Sequence, residues 1–520
     1  MIGCTHCKNT AHFCLDNNSV ETQSKIITLF SKENPPQENH SPECEQKAKN
    51  LESAALMRFV QEIGLLKMFD SLPDPRDLSR ITYSLGSLLM WAFYTCAFRQ
   101  GSKNAMQSTI ESLQVADHKE GFFHLLGIEE GIDRITHSSV VDDALSKMEY
   151  AKVNDILFQL FDRIINRKIL YHHQNVLLPN NTFQIGTDGY WTHNYTHPHS
   201  VNDQGNNNCP HCLPRVHNKG KPNEFTSWVH VIVTFVLICG SGLTIPLYAY
   251  PLKANQITNI ENHEKFKEEC ELAAAHVVLP VFRARYPRQS FTFLGDALYA
   301  NKPFIRLCNR LKFDYIIVLK NTVQKKLNKH CDGLGKTEIY QKHYTHQATT
   351  TTTKGTIIKK AAWFNVVEMG GEIFTNVLRF EENIIRSDGS SKTLYKGAWL
   401  CSRKIFHNNC FKMAERGRSR WDHEDLHNTC KRRGFDIKHD MARSNPNLLM
   451  IWKIMIFIAF FITELFFCTI IAQNLQKTRS RMKFSRDILQ QFVEISWKVI
   501  SMTPIMIKPR VQFRFHFGGP

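Results

Sequence analysis

The chain has 520 residues, of which 42% are hydrophobic and 22% charged, and these ordinary globular values argue against a disordered chain. Its formal net charge of +17 points to a polyanionic partner, with nucleic acid favoured over an anionic membrane. The 15 cysteines are scattered and several stand among apolar residues, which argues against a disulfide framework and predicts a reducing, cytoplasmic location.

The first part of the chain divides into a polar leader and a helical region. Residues 1–50 are rich in Asn, Glu, Ser and Lys, a composition that predicts poor order. The leader also holds four irregularly spaced residues that could bind a metal: Cys4, Cys7, His12 and Cys14. In residues 51–175 apolar side chains recur every three to four positions, as in LESAALMRFVQEIGLLKMF, which predicts helices.

From residue 182 the pattern changes to short β-branched runs separated by turns. Over residues 182–321 the predicted order is β-β-β-α-β-α-β, which indicates a three-layer α/β arrangement. Residues 322–400 contain a Thr run and further β-like pieces, and predict a β-rich insertion. Helix returns over residues 401–473, and residues 474–520 form a basic C-terminal tail that we expect to be helical to about residue 502.

Residues 448–472 (LLMIWKIMIFIAFFITELFFCTIIA) are apolar enough to raise the question of a membrane span. Lys453 and Glu464 interrupt them and leave only ten uncharged residues between, whereas a spanning helix needs about twenty apolar residues. The pattern therefore favours a buried core helix and no membrane partner, with a membrane-anchored protein as the alternative.

Two aspartates stand where predicted strands end. Asp188 closes the first strand, in QIGTDGYW, and Asp296 closes the fourth, in TFLGDALY. In a sheet ordered like that of ribonuclease H those strands are neighbours, so the two carboxylates would lie together. Adjacent anions are costly unless a cation lies between them, and Mg²⁺, or Mn²⁺ in its place, takes oxygen ligands. The pattern predicts a divalent-cation site.

Glu424 is the candidate for a third carboxylate, on a helix that follows the insertion. At about 100° per residue, Arg420, His427 and Lys431 fall on the same helical face as Glu424. One carboxylate among cationic groups suits metal and phosphate together. The plain alternative is a solvated face with an i,i+4 ion pair; the two aspartates upstream favour the site.

The chain resembles insertion-sequence transposases of the DDE type, in the group with a β insertion before the last carboxylate. The segments SLPDPRD, QIGTDGYW, TFLGDALYANKPF and ERGRSRWDHEDLHNTCKRRGF carry the resemblance, over roughly residues 65–475. The group's signature spaces Tyr, Arg, Glu and Lys by two, three and six residues. Arg420, Glu424 and Lys431 fit this spacing, but Gly417 stands where the group has Tyr.

The resemblance implies a ribonuclease-H-like catalytic core between helical N- and C-terminal regions, and a DNA-associated enzyme with Asp188, Asp296 and Glu424 as its catalytic metal ligands. Such enzymes cut transposon-end DNA by metal-assisted phosphodiester hydrolysis and join the 3′ ends to target DNA, usually as dimers. In such enzymes the signature Tyr helps to hold a bent DNA end while a DNA hairpin forms. The missing Tyr therefore predicts that any hairpin step is weak or absent, unless another residue such as His427 takes this role. The alternative function is a transposase-derived DNA-binding protein that no longer cuts.

A Cys- and His-rich loop lies between the first and second predicted strands. Cys209 and Cys212 form a C-x-x-C pair, with His217 and His230 downstream, and this set could hold a structural zinc ion. Four other histidines of the loop are spare ligands: His193, His197, His199 and His211. The other interpretation is a polar loop with free thiols.

Basic residues flank the candidate carboxylates. Residues 401–443 hold eleven Lys or Arg against six Asp or Glu, and residues 474–510 hold eight against two. Double-stranded DNA, at transposon ends and target, is the expected partner. We expect four residues near Glu424 to contact it: Arg418, Arg420, His427 and Lys431. Trp363, in the insertion, either stacks on a flipped base or simply packs in the fold.

Overall fold

The fold is centred on one nine-stranded mixed β-sheet, in the order β5-β4-β1-β6-β7-β11-β10-β9-β8. A computed structural model describes residues 51–113, 116–170, 182–192, 194–201, 203, 207–239, 243–254, 270–439, 441–442 and 445–517. The leader with its four potential ligands, and His193, lie outside the described residues. The strands of the large sheet are β1 (Phe183–Trp191), β4 (Val231–Ile238), β5 (Thr244–Pro251), β6 (Phe291–Gly295), β7 (Asp314–Val318), β8 (Thr345–Thr352), β9 (Gly355–Glu368), β10 (Phe374–Ile385) and β11 (Ser391–Cys401).

Five strands form the half of the sheet that carries the two aspartates. β1 pairs antiparallel with β4 and β4 with β5, whereas β1, β6 and β7 run parallel. All eight residues of β4 are buried, as expected for a strand covered on both faces, which explains its continuous apolar run. Two helices make the parallel crossovers, α8 (Glu271–Arg285) before β6 and α9 (Lys302–Leu311) before β7.

The predicted second strand proves to be two strands. β3 (Phe225–Val229) pairs with β2 (Leu213–His217) in a separate two-stranded sheet, and the chain then enters β4 after His230. This small hairpin and the described part of the Cys- and His-rich loop together form the connection between β1 and β4.

The β-rich insertion continues the main sheet and is not a separate body. Two helices, α10 (Lys325–Gly335) and α11 (Glu338–His343), lead into β8, and β11 returns to pair with β7 through Trp399 and Val318. After β11 the chain forms α12 (Cys410–Ser419) and α13 (Asp422–Arg432). Helix α12 packs on β7, β9, β10 and β11.

Helices flank the sheet at both ends of the chain, as the apolar periodicity predicts. The N-terminal helices are α1 (Glu52–Ile63), α2 (Leu65–Asp70), α3 (Leu85–Ala97), α4 (Lys103–Glu111), α5 (Ala116–Leu126), α6 (Ser138–Ser146) and α7 (Tyr150–Asn166). The C-terminal helices are α14 (Pro446–Phe467), α15 (Ile470–Gln476), α16 (Arg481–Glu494), α17 (Trp497–Ser501) and α18 (Pro504–Ile507). Both sets meet where α14 packs on α3, α6, α7 and β5.

Helix α14 is long and apolar enough to cross a membrane, yet its most apolar 18-residue stretch is fully buried inside the fold. Its two charged side chains both have polar partners there. Lys453 donates hydrogen bonds to the carbonyl oxygens of Ile437 and His439, and Glu464 is paired with Arg481. These contacts favour the core-helix interpretation of the segment, because a buried charge is tolerated only when paired or hydrogen-bonded.

Candidate functional site

Strands β1 and β6 bring Asp188 and Asp296 to one edge of the sheet. Their parallel register pairs Gly186 with Leu294, and two further residues along each strand bring the two aspartates level. Asp296 follows β6 directly, as predicted, and its Oδ1 accepts a hydrogen bond from the Leu298 amide. Asp188 does not close its strand: β1 runs three residues further, because β4 continues to pair with it there.

Helix α13 brings Glu424 to the same region. The Glu424 side chain is half-exposed, and its Oε1 lies 3.4 Å from Nη2 of Arg420, which belongs to the short link between α12 and α13. Arg420 and Glu424 both act electrostatically on Asp188, the first lowering and the second raising its pKa. The predicted i,i+4 ion pair between Arg420 and Glu424 therefore forms, and it lies near Asp188.

Two buried histidines attach α13 to the sheet. Nε2 of His423 and Nε2 of His427 lie 2.8 and 2.9 Å from the Thr234 hydroxyl oxygen. The Thr234 hydroxyl also donates to the carbonyl oxygen of Asp188 at 3.4 Å, and its oxygen can accept a hydrogen bond from each ring. Because Thr234 is the register partner of Asp188, this contact sets the distance from α13 to the first aspartate.

His427 is therefore not a DNA contact, and this prediction was wrong. Its side chain is only 5% exposed, and burial lowers its pKa to about 3, so the ring is neutral. The same burial excludes His427 as a stand-in for the missing Tyr. A helical projection shows which residues share a face, but His427 lies on the edge of that face that meets the sheet.

The electrostatics of the carboxylates suit a bound cation. Burial, together with the Glu424 and Asp296 carboxylates and against the opposing effect of Arg420, raises the pKa of Asp188 to about 6. The carboxylate oxygens of Asp188, Asp296 and Glu424 do not all lie within 4.8 Å of one another. Hard oxygen donors are the ligands that Mg²⁺ and Mn²⁺ take.

The other predicted cationic contacts differ in accessibility. Arg418 is exposed but held, with Nη1 3.1 Å from Oε2 of Glu382 and its guanidinium over the Tyr395 ring. The Nζ of Lys431 lies 5.1 Å from the ring centroid of Tyr190, two residues beyond Asp188 on the same strand. Arg420 and Lys431 thus lie near the carboxylates, whereas Arg418 contacts the insertion strands β10 and β11.

Trp363 cannot stack on a base in this structure, which corrects the DNA-contact prediction in favour of plain packing. Its side chain is 2% exposed, and its ring meets His407 and Tyr344 edge-on. Trp421 is better placed: it is 53% exposed, three residues before Glu424, and the Arg420 guanidinium lies over its ring.

Gly417 is required by packing. A Cβ at this position would overlap the indole ring of Trp399, which is almost fully buried on β11. The signature's Tyr therefore cannot stand here unless Trp399 moves. Tyr395 lies four residues before Trp399 on β11, its ring stacks on that of Trp399, and the Arg418 guanidinium lies over it.

We expect Gly417→Ala to destabilise the fold by about 1–3 kcal/mol, because overpacking a filled core outweighs the gain in helix propensity. Chemical denaturation measures this change. The double variant Gly417→Ala/Trp399→Phe should recover most of the loss. A Gly417→Ala variant as stable as the wild type would show that Trp399 does not require the glycine.

The Cys- and His-rich loop gathers four ligand atoms within 4.8 Å of one another, from His199, Cys209, Cys212 and His230. Nδ1 of His199 lies 2.9 Å from Nε2 of His230. The Cys212 sulfur lies 3.4 Å from the first nitrogen and 3.2 Å from the second. The Cys209 sulfur lies 3.4 Å from Nε2 of His230. Tetrahedral zinc, with Zn–S of about 2.3 Å and Zn–N of about 2.0–2.1 Å, separates such atoms by roughly 3.3–3.6 Å.

His217 is not in this group, so that ligand prediction was wrong. Its ring stacks on Phe225, and its Nε2 lies 2.7 Å from the Ser227 hydroxyl, because β2 directs it along the small hairpin. His199, one of the spare histidines, takes the fourth place. Two aromatic residues, Tyr195 and Trp228, form a small core around the two cysteines. The group is thus rigidly built and could hold a structural metal.

Three residues of interest escaped sequence reasoning: Trp421, Tyr395 and Glu271. Trp421 carried one usable cue, its place inside the signature. Glu271 carried none, since it reaches the aspartates only through the packing of α8 on β1. Compared with known proteins, the sequence matches no family model and no curated protein.

Proposed function

We propose that the chain is a DDE transposase with a ribonuclease-H-like core, which cleaves transposon-end DNA and joins the 3′ ends to target DNA. One observation carries the proposal. The strand order β5-β4-β1-β6-β7 brings Asp188 level with Asp296, and the helix after the insertion presents Glu424 beside them. Three carboxylates from distant parts of the chain converge on one sheet edge, in the order that the resemblance implies.

The side chains divide the work of such a site. Asp188, Asp296 and Glu424 would hold Mg²⁺ or Mn²⁺, which when bound activates the attacking oxygen and stabilises the leaving one. Arg420 holds Glu424 at 3.4 Å and could receive a phosphate with its remaining donors. The buried His423–Thr234–His427 contact fixes α13, so the third carboxylate is positioned before DNA arrives.

The surface beside these carboxylates suits DNA. Arg418, Arg420 and Lys431 offer positive charge, and the exposed Trp421 ring offers a face on which a base could stack. A transposase of this kind is expected to bridge two DNA ends as a homodimer. Zinc at the Cys–His group would be structural, stiffening the chain that leaves β1 just after Asp188.

We expect Arg420→Ala and Lys431→Ala each to weaken binding of end-labelled DNA from the flanks of the coding region, by up to about tenfold. Each should lower the slope of log affinity against log salt by about 1. Arg420→Ala should also slow strand cleavage, since it frees Glu424. Filter binding at several salt concentrations and denaturing gels measure these effects.

Arg80→Ala is the matched control, since Arg80 is a well-exposed arginine on the short helical turn that precedes α3, far along the chain from the site. Unchanged DNA binding and cleavage in both site variants would show that this face of α13 is only a solvent-exposed helix surface. Tight end binding by the wild type with no cleavage in Mg²⁺ or Mn²⁺ would instead support the alternative, a transposase-derived DNA-binding protein that no longer cuts.

A further inference from the structure

A fourth carboxylate, that of Glu271, lies against the first aspartate's strand. Glu271 is the first residue of α8, and its side chain turns toward β1. A Cβ on Gly189 would overlap its Oε1, so the glycine after Asp188 leaves the space that the Glu271 carboxylate fills. Because residue 189 has no side chain, the Glu271 carboxylate can reach this edge of the sheet.

Glu271 shares its surroundings with the two aspartates. The Gly189 amide donates to Oδ1 of Asp188 at 3.0 Å and also faces the Glu271 carboxylate. Burial and the nearby carboxylates of Asp188 and Asp296 together raise the pKa of Glu271 to about 7. Among the residues that the structure describes, no Lys, Arg or His forms an ion pair with Glu271. Holding this anion beside Asp188 is costly unless a cation joins them.

A buried hydroxyl faces the same cluster. Tyr299, in the turn after Asp296, is fully buried; this burial raises its pKa, and the carboxylates of Glu271, Asp296 and Asp188 act in the same direction. The Thr187 hydroxyl is close, yet within the described part of the chain neither hydroxyl has a hydrogen-bond partner of good geometry. A buried hydroxyl without a partner costs about 1–3 kcal/mol, so its retention indicates a group that occupies the cluster in the working protein.

We propose that Glu271 is a fourth carboxylate ligand of the divalent-cation site, adjoining Asp188 and Asp296, with the Tyr299 hydroxyl beneath them as a positioning donor. This assignment rests on the proposed function, since it extends the same site. Four carboxylates would then hold the cation, and the Gly189 amide lies beside two of them, those of Asp188 and Glu271. Tyr299 would donate to a ligand oxygen and so orient it.

Binding of Mn²⁺ by the DNA-free protein, measured by calorimetry, tests the assignment without using activity. Glu271→Gln keeps the side chain's shape, and we expect it to weaken Mn²⁺ binding at least tenfold. Asp188→Asn should abolish binding, and Asp143→Asn, at an exposed position on α6, should leave it unchanged. Tyr299→Phe should weaken binding by a smaller factor.

The outcomes separate this proposal from the function it extends. Wild-type affinity in Glu271→Gln, together with loss in Asp188→Asn, would overturn the role of Glu271 and leave the three-carboxylate site standing. No Mn²⁺ binding by the wild type would overturn both. Glu271→Ala, checked by thermal melting in EDTA, provides a second variant: a folded Glu271→Ala protein with wild-type affinity would overturn the proposal equally.

Discussion

Replacing Asp188, Asp296 or Glu424 by the matching amide should reduce DNA cleavage by about 10³-fold or more. The amide keeps the shape of each side chain but removes the charge that holds a cation. Loss of several kcal/mol of transition-state stabilisation has an effect of that size. End-labelled DNA on denaturing gels, in Mg²⁺ and in Mn²⁺, measures the product.

Three controls separate chemistry from folding in these variants. DNA binding should persist in all of them. Asp425→Asn, next to Glu424 but exposed, should cleave as the wild type does. Because burial raises the pKa of Asp188 to about 6, ionisation above that pH costs the metal-free fold stability. Asp188→Asn should therefore melt at no lower temperature than the wild type at pH 8 in EDTA. Full cleavage by any one amide variant would remove that residue from the site.

The second large effect is expected at the Cys–His group. Purified protein should carry about one zinc ion per chain, and Cys209→Ser/Cys212→Ser should lose it and be destabilised by about 3 kcal/mol or more. The reason is that four ligands from one loop and hairpin lose the ion that joins them, and His199 and the buried His230 are left facing each other at 2.9 Å. Elemental analysis and thermal melting measure both changes.

Single histidine variants test the ligand set itself. His199→Ala should lose zinc, whereas His217→Ala should retain it, because His217 lies outside the group. Cys270→Ser, at an exposed free cysteine, is the control for thiol removal. If freshly prepared wild-type protein contains no zinc, the prediction of a zinc site is wrong and these residues form only a small core. Loss of zinc in His217→Ala alone would contradict the geometry.

Several strands could be predicted because local sequence patterns determine them, although the predicted second strand proved to be parts of β3 and β4. The β-branched runs of β1, β4 and β5 and the position of Asp296 after β6 were readable in this way, as was the core role of α14. A mixed α/β fold with helices at both ends of the chain follows from the same patterns.

What could not be predicted depends on long-range packing. The sequence spacing of Cys209 and Cys212 suggests a downstream histidine, but His199 precedes them, and the β2–β3 hairpin turns His217 away. Burial of His427 and Trp363 depends on which face of α13 or β9 is covered, and periodicity does not give that. Glu271 meets Asp188 only because Gly189 leaves room, a relation between positions far apart in the chain.

The Asp296→Cys variant tests most directly whether these carboxylates hold the metal ions needed to cut DNA. A thiolate is a poor ligand for Mg²⁺ but an acceptable one for Mn²⁺. We expect Asp296→Cys to fail to cleave end DNA in Mg²⁺ and to recover cleavage in Mn²⁺, while the wild type cleaves in both. Equal activity of the variant in both metals, or no cleavage by the wild type in either, would contradict this expectation.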